Sequence, residues 1–185
     1  QVFFEDVRVP IANRVGREND GWTVAKYLLE FERFSMGSVE LRRNLGRIGK
    51  LAEKTAANGM RLMDDPDFKR QFKALEINAT MLEASEQRVL ANLSAGRPPG
   101  PVSSALNIQN AETLQAVDML GVEALGYYAN PYQPEALELG TNRPPVGPED
   151  GISFVPMYLS NRMKSIAGGS SEIQRNIVAK AILRL

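Results

Sequence analysis

The feature that most limits the fold is a long proline-free segment with helical periodicity, from Gly21 to about Asn58. Its apolar residues recur at steps of three and four, which places them on one broad face of a helix. Asp20 is a natural N-cap, and Asn58-Gly59 is a natural stop. The segment therefore predicts one long helix buried in a helical bundle. Its main stripe comprises Trp22, Ala25, Leu29, Glu32, Met36 and Val39.

The rest of the chain adds further helices. Asp65-Pro66 starts the second, with the aspartate as N-cap and proline at the first helical position. A third is predicted from about Val102 to Ala124, and a shorter one from Phe154 to Ile166. Residues 129–153 are dense in Pro, Gly and Asn, and a loop of that length is usually functional, interfacial or mobile. The sequence predicts an all-α, antiparallel four-helix bundle.

The first ten residues differ from the rest. Gln1 to Pro10 is rich in β-formers and predicts a strand, but the sequence offers no partner strand for it. We therefore expect residues 1–18 to be the remnant of a preceding domain and a linker. Residues 19–185 would then be the helical domain.

Composition excludes several function classes. The 185 residues carry 22 basic and 22 acidic side chains, so net charge provides no general attraction to nucleic acid or anionic membranes. There is no cysteine, which excludes disulfides and thiolate metal sites, and no histidine. Acid–base chemistry near neutral pH would therefore have to use a carboxylate. No apolar run reaches membrane-spanning length, and the N-terminus does not resemble a signal peptide.

The turn Gly168-Gly169-Ser170-Ser171 precedes a segment with helical spacing at Ile173 and Ile177. Two glycines allow backbone conformations that other residues avoid. Ser171 is predicted as N-cap, with Gln174 completing a capping box. The free N–H groups of such a helix start suit an anionic or carbonyl-bearing ligand. The alternative is an ordinary capped helix start.

Two carboxylates interrupt apolar stripes. Glu32 lies in the stripe from Trp22 to Val39, and Glu86 lies in that of the second helix. A buried carboxylate without a partner has a raised pKa, which suits a catalytic base. The alternatives are a structural ion pair with a neighbouring helix and a stripe that becomes solvent-exposed halfway along.

Three segments in order resemble the acyl-CoA dehydrogenases: residues 3–10 with 16–22, residues 28–38, and residues 170–183. The resemblance covers nearly the whole chain. It corresponds to the C-terminal helical domain of the family, preceded by the last strand of its middle β-domain. Only the loop at 129–153 contains no recognisable motif.

The resemblance implies a flavoenzyme that uses FAD to place a double bond between Cα and Cβ of an acyl-CoA thioester. A glutamate removes the α-proton while a hydride leaves Cβ, and an electron-transfer flavoprotein reoxidises the flavin. One family position for this glutamate is Gly168 here and cannot serve. The other is Glu32, which Arg33 follows as the family pattern requires.

The resemblance also implies roles around the turn. The backbone N–H of Gly168 would donate to the thioester carbonyl, as an oxyanion-hole donor does. Arg33 would bind at the edge of the substrate site. The residues that would contact FAD are Ser170, Ser171, Glu172 and Gly121.

Two positions depart from the family pattern. Asp65 stands where the family has an arginine that reaches the FAD of a neighbouring subunit, and Val122 replaces a glycine of the Leu-Gly-Gly motif. These departures leave open a non-catalytic assembly subunit, and an acyl-CoA oxidase is a further alternative.

The resemblance implies a homo-oligomer, dimer or tetramer, in the bacterial cytoplasm or the mitochondrial matrix. We expect the chain alone to be inactive and free of FAD, because it lacks the β-domain.

Overall fold

The structure, a computed structural model, describes residues 1–54, 56, 57 and 59–185, with the backbone alone for 56 and 57. The described residues are mainly helical, which confirms the predicted all-α class. A two-residue strand, β1 (Ala56–Ala57), pairs antiparallel with β2 (Met60–Arg61). The α-helices are α1 (Gly21–Glu32), α2 (Gly37–Lys54), α3 (Pro66–Ser94), α4 (Val102–Leu125), α5 (Phe154–Ser160) and α6 (Ser171–Val178).

The prediction of one long first helix is wrong, because the helix is interrupted: α1 ends at Glu32 and α2 begins at Gly37. Contacts with residues that are distant in the sequence fix the position at which α2 begins. The carboxylate of Glu86 accepts hydrogen bonds from the backbone N–H and the hydroxyl of Ser38, in the first turn of α2. A Cβ on Gly37 would overlap the side-chain amide of Asn110, so this glycine allows α4 to approach closely. The end predicted at Asn58 lies outside the described residues.

The predicted burial of the first apolar stripe is also wrong for α1, which contains no buried residue. Trp22 is 69% exposed. Val39, although in α2, is also exposed. These side chains face away from the bundle core.

The core is formed by α2, α3 and α4. Arg42 on α2 pairs with Glu83 on α3, and Gly49 further along α2 lies against the ring of Phe72, earlier on α3. The two helices are therefore antiparallel. Removal of their apolar side chains from water is the main term that stabilises the bundle. The largest fully buried apolar side chains of the core, to which α5 adds Phe154, are Leu41, Ile48, Leu51, Leu82, Leu114, Val117, Leu120 and Phe154.

Two short helices, α5 and α6, take the place of the fourth helix of the predicted bundle, and both lie along α4. Asn161, just after α5, donates to Asp118 at 2.8 Å, and Arg175 on α6 bonds Glu112, one turn or more earlier on α4. The segment that contains α5 and α6 therefore runs antiparallel to α4. The glycine turn at 168–169 interrupts it. The predicted helix from Phe154 to Ile166 is accordingly a short α-helix followed by 3-10 turns.

The two predicted aspartate caps differ. The Asp65 carboxylate accepts from the backbone N–H groups of Asp67 and Phe68 at 3.0 and 2.8 Å, which confirms it as the N-cap of α3. Asp20 occupies the N-cap position of α1, but its side chain makes no capping bond.

Residues 1–10 form no strand, because no described segment pairs with their backbone. That prediction is wrong for this chain by itself.

The loop between α4 and α5 is held by a hydrogen bond within it and by another to α2. Gln133 accepts from the backbone N–H of Val146 at 2.8 Å, and Arg47 on α2 donates to Ser153 at 2.6 Å. The loop encloses an apolar cavity of about 420 Å³ against the end of α4. Among the described residues, none of the helices has the length and hydropathy needed to cross a bilayer.

Candidate functional site

The turn before α6 requires its two glycines. Gly168 and Gly169 have φ values of +73° and +102°, in the region that side chains with a Cβ rarely adopt. The N–H of Gly169 donates to the carbonyl of Ile166 at 3.2 Å. Within the described ranges, no group accepts from the N–H of Gly168. The turn therefore presents the N–H of Gly168 as a backbone donor without an internal partner.

Ser170, and not Ser171, is the N-cap of α6. Its hydroxyl accepts from the N–H of Ile173 at 3.5 Å, whereas Ser171 is the first helical residue and is buried. The predicted Ser171 cap and its capping box with Gln174 are wrong, because the turn ends one residue earlier than the pattern suggested. Ile173, predicted on the apolar face, is 51% exposed.

The side chain of Gln174 is fully buried and points back at the turn. Its amide Nε2 donates to the carbonyl oxygens of Gly168 and Gly169, at 2.9 and 3.1 Å. The sequence assigned this glutamine to a capping box and so placed it near the turn. Its bonds to the two carbonyls could be found only in the structure.

A small cleft of about 170 Å³ brings Glu32 and Gly168 together. The two residues come from opposite ends of the chain and line the same space. Glu32 itself is exposed, so the expectation of a buried carboxylate is wrong for this chain. The reason is that α1 lies at the edge of the bundle. The other lining residues are Ser35, Asn107, Asn110, Ala111, Lys164 and Ala167.

Sequence reasoning missed the polar residues of this cleft. Asn107 and Asn110 are three apart on α4 and lie on one face. A Cβ on Gly168 would be 3.2 Å from Nδ2 of Asn107. Oδ1 of Asn110 is buried and accepts no hydrogen bond from the described residues. Polar residues among apolar neighbours such as Leu106 and Ala111 were the available signal, the same one that identified Glu32.

Arg33 connects the end of α1 to the turn. Its Nε donates to the carbonyl oxygen of Gly168 at 3.4 Å, in a half-buried position. Arg33 follows Glu32 directly, so this bond also restrains the helix end that carries the carboxylate.

The predicted cofactor residues divide into two groups. Ser170 and Glu172 lie at the accessible start of α6, where the backbone N–H of Glu172 and the Ser170 hydroxyl lower the pKa of the Glu172 carboxyl. Ser171 and Gly121 are buried. A Cβ on Gly121 would lie 3.0 Å from the ring of Phe154, so that glycine faces the core. Only the first group is placed to touch a large polar ligand.

Glu86, the second carboxylate that interrupts a stripe, is fully buried. Its partner is Ser38, and it does not line the cleft that contains Glu32. The structure therefore gives Glu86 a structural role, as a cap for α2 supplied by α3. Among the side chains that the structure describes, no cation is hydrogen-bonded to Glu86, so the alternative of an ion pair is wrong for this residue.

The sequence profile of the acyl-CoA dehydrogenase C-terminal domain matches residues 19–183. The acyl-CoA dehydrogenase IpdE1 of Mycobacterium tuberculosis is 32% identical over 193 residues, covering all of this chain and 43% of that protein. The acyl-CoA dehydrogenase FadE29 of the same organism is 26% identical over 186 residues, which is 99% of this chain and 44% of that protein. The chain thus spans less than half the length of these relatives.

A solved structure gives the same result. A chain of the ChsE4–ChsE5 complex from Mycobacterium tuberculosis superposes with a TM-score of 0.78 at 27% identity, covering 99% of this chain and 45% of that one. Profile, sequence and fold agree over nearly all of the described helices. This chain belongs to the acyl-CoA dehydrogenase family, and residues 19–183 correspond to the family's C-terminal domain.

Proposed function

We propose that the protein to which this domain belongs is an FAD-dependent acyl-CoA dehydrogenase that desaturates the Cα–Cβ bond of an acyl-CoA thioester. The observation that carries the proposal is the shared cleft: a carboxylate at Glu32 and a backbone donor at Gly168 line one space. A thioester bound between them would meet a base and an oxyanion donor together. Family membership supports the same reaction.

Glu32 accepts the α-proton in this proposal. As the proton leaves, negative charge develops on the thioester oxygen, and the free N–H of Gly168 stabilises it by hydrogen bonding. Glu32 is exposed in this chain, and the relatives are more than twice as long. We infer that the remainder of the protein covers the cleft and excludes water from the carboxylate.

The residues present fit part of an FAD site. Ser170 and Glu172, at the accessible start of α6, would contact the cofactor, whereas Ser171 and Gly121 would support the backbone behind it. When bound, FAD supplies the acceptor for the hydride that leaves Cβ. We assign residues 1–18 to the end of the preceding β-domain, which would hold the rest of the cofactor.

Asp65 and Val122 favour a second candidate, a non-catalytic subunit that keeps the fold. The Asp65 carboxylate is engaged as a helix cap, so it does not replace the arginine expected to bind the FAD of a neighbouring subunit. The similar ChsE4–ChsE5 structure is a complex of two named proteins. We therefore propose an oligomer, with homomeric and heteromeric assembly as the alternatives. Acyl-CoA and an electron-transfer flavoprotein are its proposed partners.

The test is Glu32→Gln in the full-length protein. Glutamine keeps the size of the side chain but cannot accept the α-proton, so turnover with acyl-CoA and an artificial electron acceptor is expected to be abolished while FAD remains bound. Glu30→Gln is the matched control. Glu30 lies on the same helix, but its carboxylate accepts from the backbone N–H of Gly100 at 3.1 Å, which an amide oxygen can also do.

Unchanged turnover in Glu32→Gln would refute the proposed base. A full-length protein that binds no FAD would support the assembly subunit instead. Production of hydrogen peroxide with oxygen as the only acceptor would identify an acyl-CoA oxidase.

A further inference from the structure

Gln174 is a polar side chain with no access to solvent. It lies in the first turn of α6 and reaches back across the glycine turn. Both of its donor contacts go to carbonyl oxygens of that turn, those of Gly168 and Gly169. Its own Oε1 is buried and accepts no hydrogen bond within the described part of the chain. A buried amide oxygen without a hydrogen bond costs free energy of folding. We therefore infer that the two hydrogen bonds donated by Nε2 provide a compensating benefit.

The two bonds determine how the turn is oriented. Each carbonyl belongs to a rigid peptide plane, so fixing the two oxygens fixes the planes that follow Gly168 and Gly169. Glycines at positive φ have no side chain to restrict them and would otherwise sample several conformations. A Cβ on Gly169 would lie 2.6 Å from Nε2 of Gln174, so the amide packs directly on the glycine backbone.

Among the residues that the structure describes, none accepts a hydrogen bond from the N–H of Gly168. The N–H of Gly168 belongs to the preceding peptide plane, which it shares with Ala167. That plane lies between two planes that are held, because the N–H of Ala167 donates to the carbonyl of Met163 at 2.9 Å and the carbonyl of Gly168 accepts from Gln174 and Arg33. Restraint on both sides limits the directions that the Gly168 N–H can take. A donor that is held in place before the substrate arrives stabilises developing charge without reorganisation.

We propose that Gln174 is a positioning residue, which holds the turn so that the N–H of Gly168 is directed at the thioester carbonyl. The inference rests on the proposed function, since it assigns a role within the same site. Gln174 does not touch the substrate in this proposal. It acts through the two glycine carbonyls.

The test is Gln174→Met in the full-length, FAD-loaded protein. Methionine has a similar length but no N–H donor. Gln115→Met is the matched control, because Gln115 also donates Nε2 to two backbone carbonyls, those of Asn161 and Arg162, at 3.2 and 3.4 Å. Each variant thus loses one amide that bridges two carbonyls. The two variants differ in whether the glycine turn is affected.

Two measurements separate positioning from mere stability. Amide hydrogen exchange followed by mass spectrometry is expected to accelerate in residues 165–172 for Gln174→Met and around residues 161–162 for Gln115→Met. Turnover of butyryl-, isovaleryl- and palmitoyl-CoA is expected to fall roughly 100-fold in kcat with KM changed less than about threefold for Gln174→Met. Gln115→Met should keep kcat within about threefold of the wild type.

A kcat in Gln174→Met equal to that of Gln115→Met would overturn the inference, and so would unchanged exchange in residues 165–172. If Gln174→Met does not fold, Gln174→Asn provides the same test, because it keeps a polar amide but withdraws it by one methylene. A wild-type protein that oxidises none of the three thioesters would remove the proposed function, and the positioning role with it. Wild-type turnover with an unaffected Gln174→Met would remove the positioning role alone.

Discussion

The guanidinium Nε of Arg33 lies 3.4 Å from the carbonyl oxygen of Gly168, which is 135 residues further along the chain. This bond joins the end of α1 to the turn before α6. Glu32 is next to Arg33 in the chain, and the proposed oxyanion donor is the N–H of Gly168. The bond therefore joins the residue beside the proposed base to the residue that carries the proposed donor. Nothing in the local pattern around Arg33 indicated that the two segments meet.

Arg33→Met in the full-length protein is expected to lower kcat about tenfold or more, because both the helix end and the turn lose a restraint. The effect on stability is expected to be small, below about 1 kcal/mol, since the bond is long and half-buried. Steady-state kinetics and thermal unfolding test these expectations separately. Arg33→Lys should retain part of the activity, and full activity in Arg33→Met would contradict the role.

Glu86→Leu is expected to destabilise the domain by about 3 kcal/mol, because the buried N–H and hydroxyl of Ser38 lose their acceptor. Glu86→Gln keeps one acceptor oxygen and should cost about 1 kcal/mol. Urea unfolding measures both. Combining Glu86→Leu with Ser38→Ala gives a double-mutant cycle, and additive losses would show that the pair does not interact.

Asp65→Ala is expected to cost about 1 kcal/mol by removing the N-cap of α3, whereas Asp65→Ser should lose only part of this. Chemical denaturation provides the comparison. Asp65→Arg restores the residue that the family resemblance implies and is expected to be no more stable than Asp65→Ala. A stability gain in Asp65→Arg would refute the capping role.

Burial raises the pKa of the Asp118 carboxyl, against the hydrogen bond from Asn161; the charge of Glu40 adds to the rise, while Arg162 and Lys164 oppose it. The folded state therefore holds this proton more tightly than the unfolded chain. The contribution of Asp118 to stability is greatest below the unfolded pKa and is lost as the pH rises through the folded pKa. Asp118→Asn should thus stabilise the domain at pH 7, on the order of 1 kcal/mol.

The gain in Asp118→Asn should disappear at pH 3, where the native carboxyl is already protonated. Asp150→Asn is the opposite control, because hydrogen bonding and charge from Lys54 lower the pKa of Asp150. That variant should lose stability at neutral pH and converge with the wild type on acidification. Thermal unfolding between pH 3 and 8 measures both trends. A pH-independent gain in Asp118→Asn would contradict the burial argument.

Several elements could be predicted because their causes are local. Asp65-Pro66 starts α3, since a carboxylate cap and a proline at the first position act within one turn. The buried faces of α3 and α4, which include Phe68, Phe72 and Leu114, follow the apolar period of their own segments. The glycine pair at 168–169 predicted a turn with positive φ, and the structure confirms it.

Other features required contacts across the fold. The break between α1 and α2 follows from Glu86 meeting Ser38 and from Gly37 meeting Asn110, and neither contact is encoded in the helical period of residues 21–54. The cap of α6 is Ser170 and not Ser171, because the Ser170 hydroxyl accepts from the N–H of Ile173 and the buried Ser171 is already the first helical residue.

By itself, the sequence determined the all-α class, where α3 and the glycine turn begin, and to which family the segments are similar. Hydrophobic period and capping act over a few residues, so they can be read along the chain. The tertiary structure decided that Glu32 and Gly168 share a cleft, that Gln174 holds the turn, and that Glu86 is a cap. Those outcomes depend on which helix faces pack together, and that choice is made by the free energy of the whole core.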